Sequence, residues 1–121
     1  MTCTIRMTFN ETIIFAELND TETAKAFAEK LPATITVSGT GIDFCGHIPW
    51  TLPYEQSQVK YGWKNGSVNY NPGGGWFALL FDGEQNSSSY GDQVNIGHIT
   101  SNLSILRNLE GSFDVLIEKA E

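Results

Sequence analysis

The chain predicts a mainly β fold, a small closed β-barrel of about eight strands with two short helices, in a single domain spanning 1–121. Three observations lead there. Short runs of alternating or continuous apolar residues recur from one end to the other, separated by glycine, proline and asparagine. Only two stretches carry helical spacing, and they stand at separate points; a doubly wound sheet needs strand and helix in alternation. Finally, 121 residues with 40% hydrophobic and 17% charged content suit one hydrophobic core, with no internal repeat or low-complexity linker.

The opening segments set the pattern. Ile5, Met7 and Phe9 share one face of the first and Ile13 and Phe15 one face of the second, with Asn10-Glu11 between them, which reads as a β-hairpin. Asn19 or Asp20 then caps a helix in which Ala24, Phe27, Ala28 and Leu31 form one apolar stripe. Pro32 stops it, because proline lacks an amide donor and crowds the preceding turn. Such a helix is expected to lie against a sheet. Ile35 and Val37 alternate with Thr34 and Thr36 as a third strand, and residues 38–58 read as a loop carrying Cys45, His47, Trp50 and Tyr54.

Segments 61–64 and 67–71 flank Asn65-Gly66, whose tolerance of positive φ is a strong hairpin signal. Residues 76–81 are apolar on both faces and predict a central strand covered on both sides. Gly73-Gly74-Gly75 precedes that strand, with no helix and no Lys-Ser/Thr after it, so it reads as a turn or bulge and not a phosphate loop. Residues 83–92 are polar and read as an exposed loop, and 94–100 resume a strand. Ser101 or Asn102 caps a short helix presenting Leu103, Leu106 and Leu109 until Gly111 ends it, and Phe113, Val115 and Ile117 form the last strand.

A formal charge of −7 with seven Lys plus Arg leaves no basic patch, which disfavours nucleic acid and anionic membrane as partners and permits a cationic one. No apolar run reaches the roughly 20 residues of a membrane span. The start Met1-Thr2-Cys3-Thr4-Ile5-Arg6 lacks the layout of a secretion signal, so a cytoplasmic location is expected. There, Cys3 and Cys45 are expected as free thiols serving as small buried apolar groups. Five Asn-x-Ser/Thr triplets, starting at Asn10, Asn19, Asn65, Asn86 and Asn102, read as turns and caps before glycosylation sites.

The order of several blocks resembles the cyclophilin-like β-barrels of small, mostly uncharacterised bacterial and archaeal proteins. Asp20-Thr21-Glu22-Thr23-Ala24 leading to Leu31-Pro32 resembles an acidic-x-x-Thr-Ala to Leu-Pro segment of that family. Residues 66–81 are similar to its Gly-Asp-Ile-x-Tyr, Pro-Gly and apolar-strand block, Tyr70 matching the tyrosine and Pro72-Gly73 the turn. Ile96-Gly97-His98-Ile99, followed by Leu103, Ile105 and Leu106, resembles its closing Leu-Gly-Arg-Ile strand and short helix. Two positions depart: Ser67 stands where the family often has Asp, and His98 where Arg is frequent.

Prolyl isomerases of the cyclophilin group hold the twisted amide with an arginine beside an aromatic pocket. The resemblance supplies no such arginine, since Arg6 and Arg107 stand outside the isomerase motif of Phe-x-Arg followed by Gln-x-Gly-Asp. Fold alone does not confer activity. Cys45-x-His47 with His98 offers three metal ligands but no second closely spaced pair, so no metal or other cofactor is expected. The same Cys and His as nucleophile and base lack an assured thiolate-stabilising setting. Asp82, Glu84 and Asp92 lack the alternation of a calcium loop and read as solvated acids.

Aromatic residues carry the remaining signal. Trp76, Phe77 and Phe81 are assigned to packing, whereas Trp50, Tyr54, Tyr61 and Trp63 either line a pocket or fill the core. Tyr70 joins them through the family block, and His98 is placed to hydrogen-bond a ligand. The expected function is therefore binding of a small molecule or short peptide in an aromatic-lined cleft formed by Trp50, Tyr54, Tyr61, Trp63, Tyr70 and His98. The alternatives are a degenerate prolyl isomerase or other weak enzyme using His47 or His98, and a homodimeric interaction module joined through a strand edge, the chain being a monomer or a homodimer.

Overall fold

The computed structural model describes residues 3–120; Met1, Thr2 and Glu121 lie outside them, and with them the first two positions of the start segment. The elements are β1 (Cys3–Phe9), β2 (Thr12–Leu18), α1 (Glu22–Glu29), β3 (Ala33–Gly39), β4 (Asp43–His47), β5 (Val59–Lys60), β6 (Ser67–Asn71), β7 (Trp76–Leu80), β8 (Gln93–Ile99), α2 (Leu103–Arg107) and β9 (Ser112–Lys119). The strands follow the order β2-β1-β9-β3-β4-β7-β6-β8, and antiparallel pairing of β2 with β8 closes the ring into an eight-stranded barrel. The two-residue β5 attaches to the outer end of β8.

Alternation decides what faces inward. Ile5, Met7 and Phe9 of β1 and Val115 and Ile117 of β9 are buried, as their spacing requires. On β2 the inward face is Ile14, Ala16 and Leu18, while Ile13 and Phe15 turn outward. Aromatic rings fill the interior: Phe9, Phe44 and Phe113 meet edge to face at centroid distances of 5.4–5.8 Å, and Phe27 of α1 stacks on Phe77 at 5.2 Å. Leu106 brings α2 into the same core.

Two pairings close the barrel over few residues, and each relies on a glycine. The β3–β4 ladder holds only Ser38↔Cys45 and Gly39↔Phe44; beyond it, a Cβ on Gly46 would lie 1.9 Å from the Thr36 carbonyl oxygen. The β2–β8 ladder spans Ala16↔Ile99 to Leu18↔Gly97, where a Cβ on Gly97 would lie 2.2 Å from the Glu17 carbonyl oxygen. Bare backbone is the only way these strands meet.

Several local expectations are corrected. Thr21, not Asn19 or Asp20, caps α1 through its hydroxyl to Ala24 N at 3.1 Å, and Asn19 in turn accepts from Thr21 N and Oγ1. Residues 38–58 are not all loop, because 43–47 form β4, pairing fully with β7. The hairpin expected about Asn65-Gly66 does not form. Only Gly66 takes positive φ there (99°), whereas the primed hairpin turn needs both central residues positive; the turn brings Ser67 N to Lys64 O, and residues 61–64 leave the sheet. Residues 84–89 of the supposed open loop form a 3₁₀ segment, Glu84–Ser89, with Ser87 buried. Trp76, assigned to packing, is 38% exposed and lies over His47 with centroids 3.7 Å apart. Cys3 and Cys45 sit half-buried on β1 and β4, joined by no disulfide. Among the described residues no helix is long and apolar enough to cross a membrane.

Candidate functional site

On β6 the residues Val68 and Tyr70 point into the core, which sends Ser67 and Asn69 to the outer face of the barrel. Both are nonetheless buried, Asn69 to 2% exposure, as is Gln93 of β8. They form the floor of a groove of about 740 Å³ on the outside of the barrel, walled by residues 60–66 and by the Glu84–Ser89 segment. That volume falls within the roughly 300–1,000 Å³ of small-molecule sites.

The floor is a directional chain of side-chain amides. Asn19 Nδ2 donates to Asn95 Oδ1 (3.1 Å), Asn95 Nδ2 to Asn69 Oδ1 (3.0 Å), Asn69 Nδ2 to Gln93 Oε1 (2.9 Å), and Gln93 Nε2 to the Gly91 carbonyl (3.4 Å). Each member fixes the flip of the next, so the pattern of donors beneath the groove is preset. A bulge in the β6–β8 register, where Val68 faces Gly97 and Asn69 faces Asn95, resets the alternation of β8. Ile96 and Ile99 thereby both reach the core, and Asn95 and His98 both reach the groove.

The wall is two loops fastened together. Trp63 N donates to Ser87 Oγ (3.0 Å), Gly62 N to the Tyr90 carbonyl (2.8 Å), and Asn65 and Glu84 exchange reciprocal bonds at 2.8 and 3.2 Å. Trp63 Nε1 donates to the Asp82 carbonyl at 2.8 Å, and its ring leans on Tyr90 at 5.5 Å. Gly62 is required here, since its φ is +81° and a Cβ would come within 2.9 Å of Ser87 Oγ. Tyr61 lies against Gly91 and stays 75% exposed.

Of the residues expected to form one cleft, the fold brings Tyr61, Trp63 and His98 together and places the other three elsewhere. Tyr70 is a core residue, 2% exposed, whose hydroxyl accepts from Leu52 N at 3.2 Å. Trp50 packs edge-on against Phe27 at 6.2 Å, on the α1 side. Tyr54 is 42% exposed and off the groove. Asn69, Gln93, Asn95 and Ser87 were not legible as site residues; the one trace in the sequence is the Ile96-Gly97-His98-Ile99 spacing, which breaks strict alternation.

Cys45 and His47 both stand on β4, each with its own partner. Burial pushes the Cys45 thiol up to about 11, and the adjacent Asp43 carboxylate pushes the same way. A thiol so held is a poor nucleophile at neutral pH. Asp43 is itself raised by burial, partly offset by the Thr40 hydroxyl and the Cys45 thiol bonding to it. His47 Nδ1 lies 2.9 Å from the Gly74 carbonyl. His98, on β8, is separated from β4 by β7 and β6, and among the described residues no cluster of three His, Cys, Asp or Glu could hold a metal.

A model of the cyclophilin-like family matches residues 7–118, nearly the whole chain. The chain belongs to the cyclophilin-like family. Its barrel is similar to the solution structure of a hypothetical protein from Archaeoglobus fulgidus, with a TM-score of 0.77 over 98% of this chain and 95% of that one, at 22% identity. At that identity the likeness shows the fold. No curated protein matches. In this cyclophilin-like barrel both arginines are structural: Arg6 pairs with Glu118 at 3.1 Å, and Arg107 grips Asp82 through Nε and Nη2 at 3.0–3.2 Å while reaching the Phe81 carbonyl. Neither lines the groove.

Proposed function

We propose that this cyclophilin-like domain is a binding module whose outer groove takes a small molecule or a short peptide segment, in a cytoplasmic setting that keeps Cys3 and Cys45 reduced. One observation carries the reading. Four side-chain amides are hydrogen-bonded in series, three of them (Asn95, Asn69 and Gln93) beneath an aromatic wall that is itself tied down at Gly62, Trp63 and Asn65. A polar floor fixed before any ligand arrives lowers the ordering cost of binding, and the exposed ring of Tyr61 supplies apolar contact. The two committed arginines and the raised Cys45 thiol favour binding over catalysis. The test is an amide-resolved NMR titration of the ¹⁵N-labelled protein with neutral fragments and proline dipeptides. Binding is expected to move the Trp63 indole N–H and the Asn69 and Gln93 side-chain amides together; perturbations confined to Trp50 or Trp76 would overturn the reading.

A further inference from the structure

We infer that the ligand of the groove is a planar ring carrying a negatively charged group, a proposal that rests on the binding reading above and narrows it. The chain is acidic overall at −7, yet two lysines, Lys60 and Lys64, line the groove against a single acid, Glu84. Glu84 is engaged, its Oε1 accepting from Asn65 N at 2.8 Å. The acids of the neighbouring strands and loops are engaged as well and do not line the groove. Glu17, opposite His98 in the barrel-closing pair, takes the Thr4 hydroxyl; Asp82 is held by Arg107; and Asp92 Oδ2 accepts from Gly73 N at 2.7 Å. The ion pairs found among the described residues use Arg6 and Arg107, which leaves Lys60 and Lys64 as the cations facing the groove beside His98. The groove is therefore a positively charged island on a negative surface: it draws a small anion toward it, while the acidic surface elsewhere repels that anion.

The floor and wall define the body of that anion. Asn95 Nδ2 spends its hydrogens on Asn69, Gly97 and Val68, whereas Asn69 and Gln93 each keep one N–H after their chain bond is made. The floor thus offers donors to a ligand edge bearing acceptors. Trp63, held by its amide, its indole N–H and the contact with Tyr90, and Tyr61, backed by Gly91, present aromatic rings beside those donors. A flat heteroaromatic ring with an attached carboxylate or phosphate satisfies rings, donors and lysines together.

The experiment compares three probes by NMR titration of the ¹⁵N-labelled protein at low and high salt: adenosine, adenosine 5′-monophosphate and inorganic phosphate. The monophosphate is expected to move the Trp63 indole N–H and to bind about fivefold to tenfold tighter than adenosine, the size of two exposed charge pairs. That advantage shrinks as salt rises and disappears in the K60Q/K64Q double variant, in which adenosine and its monophosphate bind alike. Equal affinity for adenosine and its monophosphate overturns the anion, and phosphate alone binding as tightly as the monophosphate overturns the ring. If none of the three moves Trp63 while neutral fragments do, this inference fails and the groove reading stands; if neutral fragments fail too, both fail.

Discussion

Asn95 Nδ2 donates to Asn69 Oδ1 at 3.0 Å across the β8–β6 pair, and this bond is the middle link between the cap of α1 and the floor of the groove. Upstream, Asn19 donates to Asn95 while its own Oδ1 accepts from Thr21, the residue that caps the helix. Downstream, Asn69 orders Gln93. One side of the barrel thus shares a single polar network between a structural helix start and the candidate site.

Removing the centre of that network strands its neighbours. Asn69→Ala leaves Gln93 Oε1 without its donor, and removes one acceptor from Asn95, at a position only 2% exposed. A buried polar group left unpaired costs about 1–3 kcal/mol, so the urea midpoint is expected to fall by that equivalent with the slope unchanged. The Gln93 side-chain amide signals should broaden or move. An unchanged midpoint would mean that the chain contributes orientation without stability.

The glycines at the two short ladders carry a larger penalty. Gly97→Ala drives a methyl to 2.2 Å from the Glu17 carbonyl oxygen and Gly46→Ala to 1.9 Å from that of Thr36, both against backbone that cannot swing aside. Each is expected to cost at least about 3 kcal/mol, or to prevent folding. Gly41→Ala is the comparison: its φ is +97° but nothing lies within 4 Å, so it should cost only about 1–2 kcal/mol. Thermal melts of the three variants rank them, and a Gly97 variant as stable as the Gly41 one would contradict closure through bare backbone.

Cys45 makes a prediction at alkaline pH. Its thiol titrates near 11 in the folded protein against an ordinary 9.0, chiefly through burial. The folded state therefore keeps a proton that the unfolded chain gives up, and stability declines as pH rises from about 9 to about 11. Urea midpoints measured across that window should fall more steeply for the natural protein than for Cys45→Ala. At pH 8 the thiol should react sluggishly with an aromatic disulfide reagent, and fast modification of Cys45 would contradict its burial.

The fold was largely legible in the sequence because period-two alternation records which face is buried, as in Ile5-x-Met7-x-Phe9 and Phe113-x-Val115-x-Ile117. The order of the blocks that resemble the family's motifs then pointed to the family that the match over residues 7–118 shows. β4 was missed because Asp43, Gly46 and His47 resemble turn residues, and only the pairing with β7 makes them a strand. The site was half legible. Aromatic content marked Tyr61 and Trp63, but composition cannot separate a ring in the core from one on a wall, and Tyr70 went to the core because β6 alternates from Val68. The amide floor left no signal, since Asn69, Gln93 and Asn95 come together only through strand pairing and a bulge.

That ambiguity between core and wall is open to a direct test with two tyrosines. Tyr70→Phe removes the oxygen that accepts from Leu52 N, a residue only 2% exposed, and leaves that N–H without its partner in the interior. It should cost about 1–3 kcal/mol in stability while leaving fragment binding at Trp63 intact, since Tyr70 does not line the groove. Tyr61→Ala is the mirror case. With three-quarters of its surface already in water, its loss should shift the melt little, within about 0.5 kcal/mol, yet weaken binding severalfold by removing an aromatic contact. Paired urea melts and NMR titrations of the two variants separate stability from binding. A Tyr61 variant that binds undiminished would remove the aromatic wall from the site and leave the amide floor to account for recognition alone.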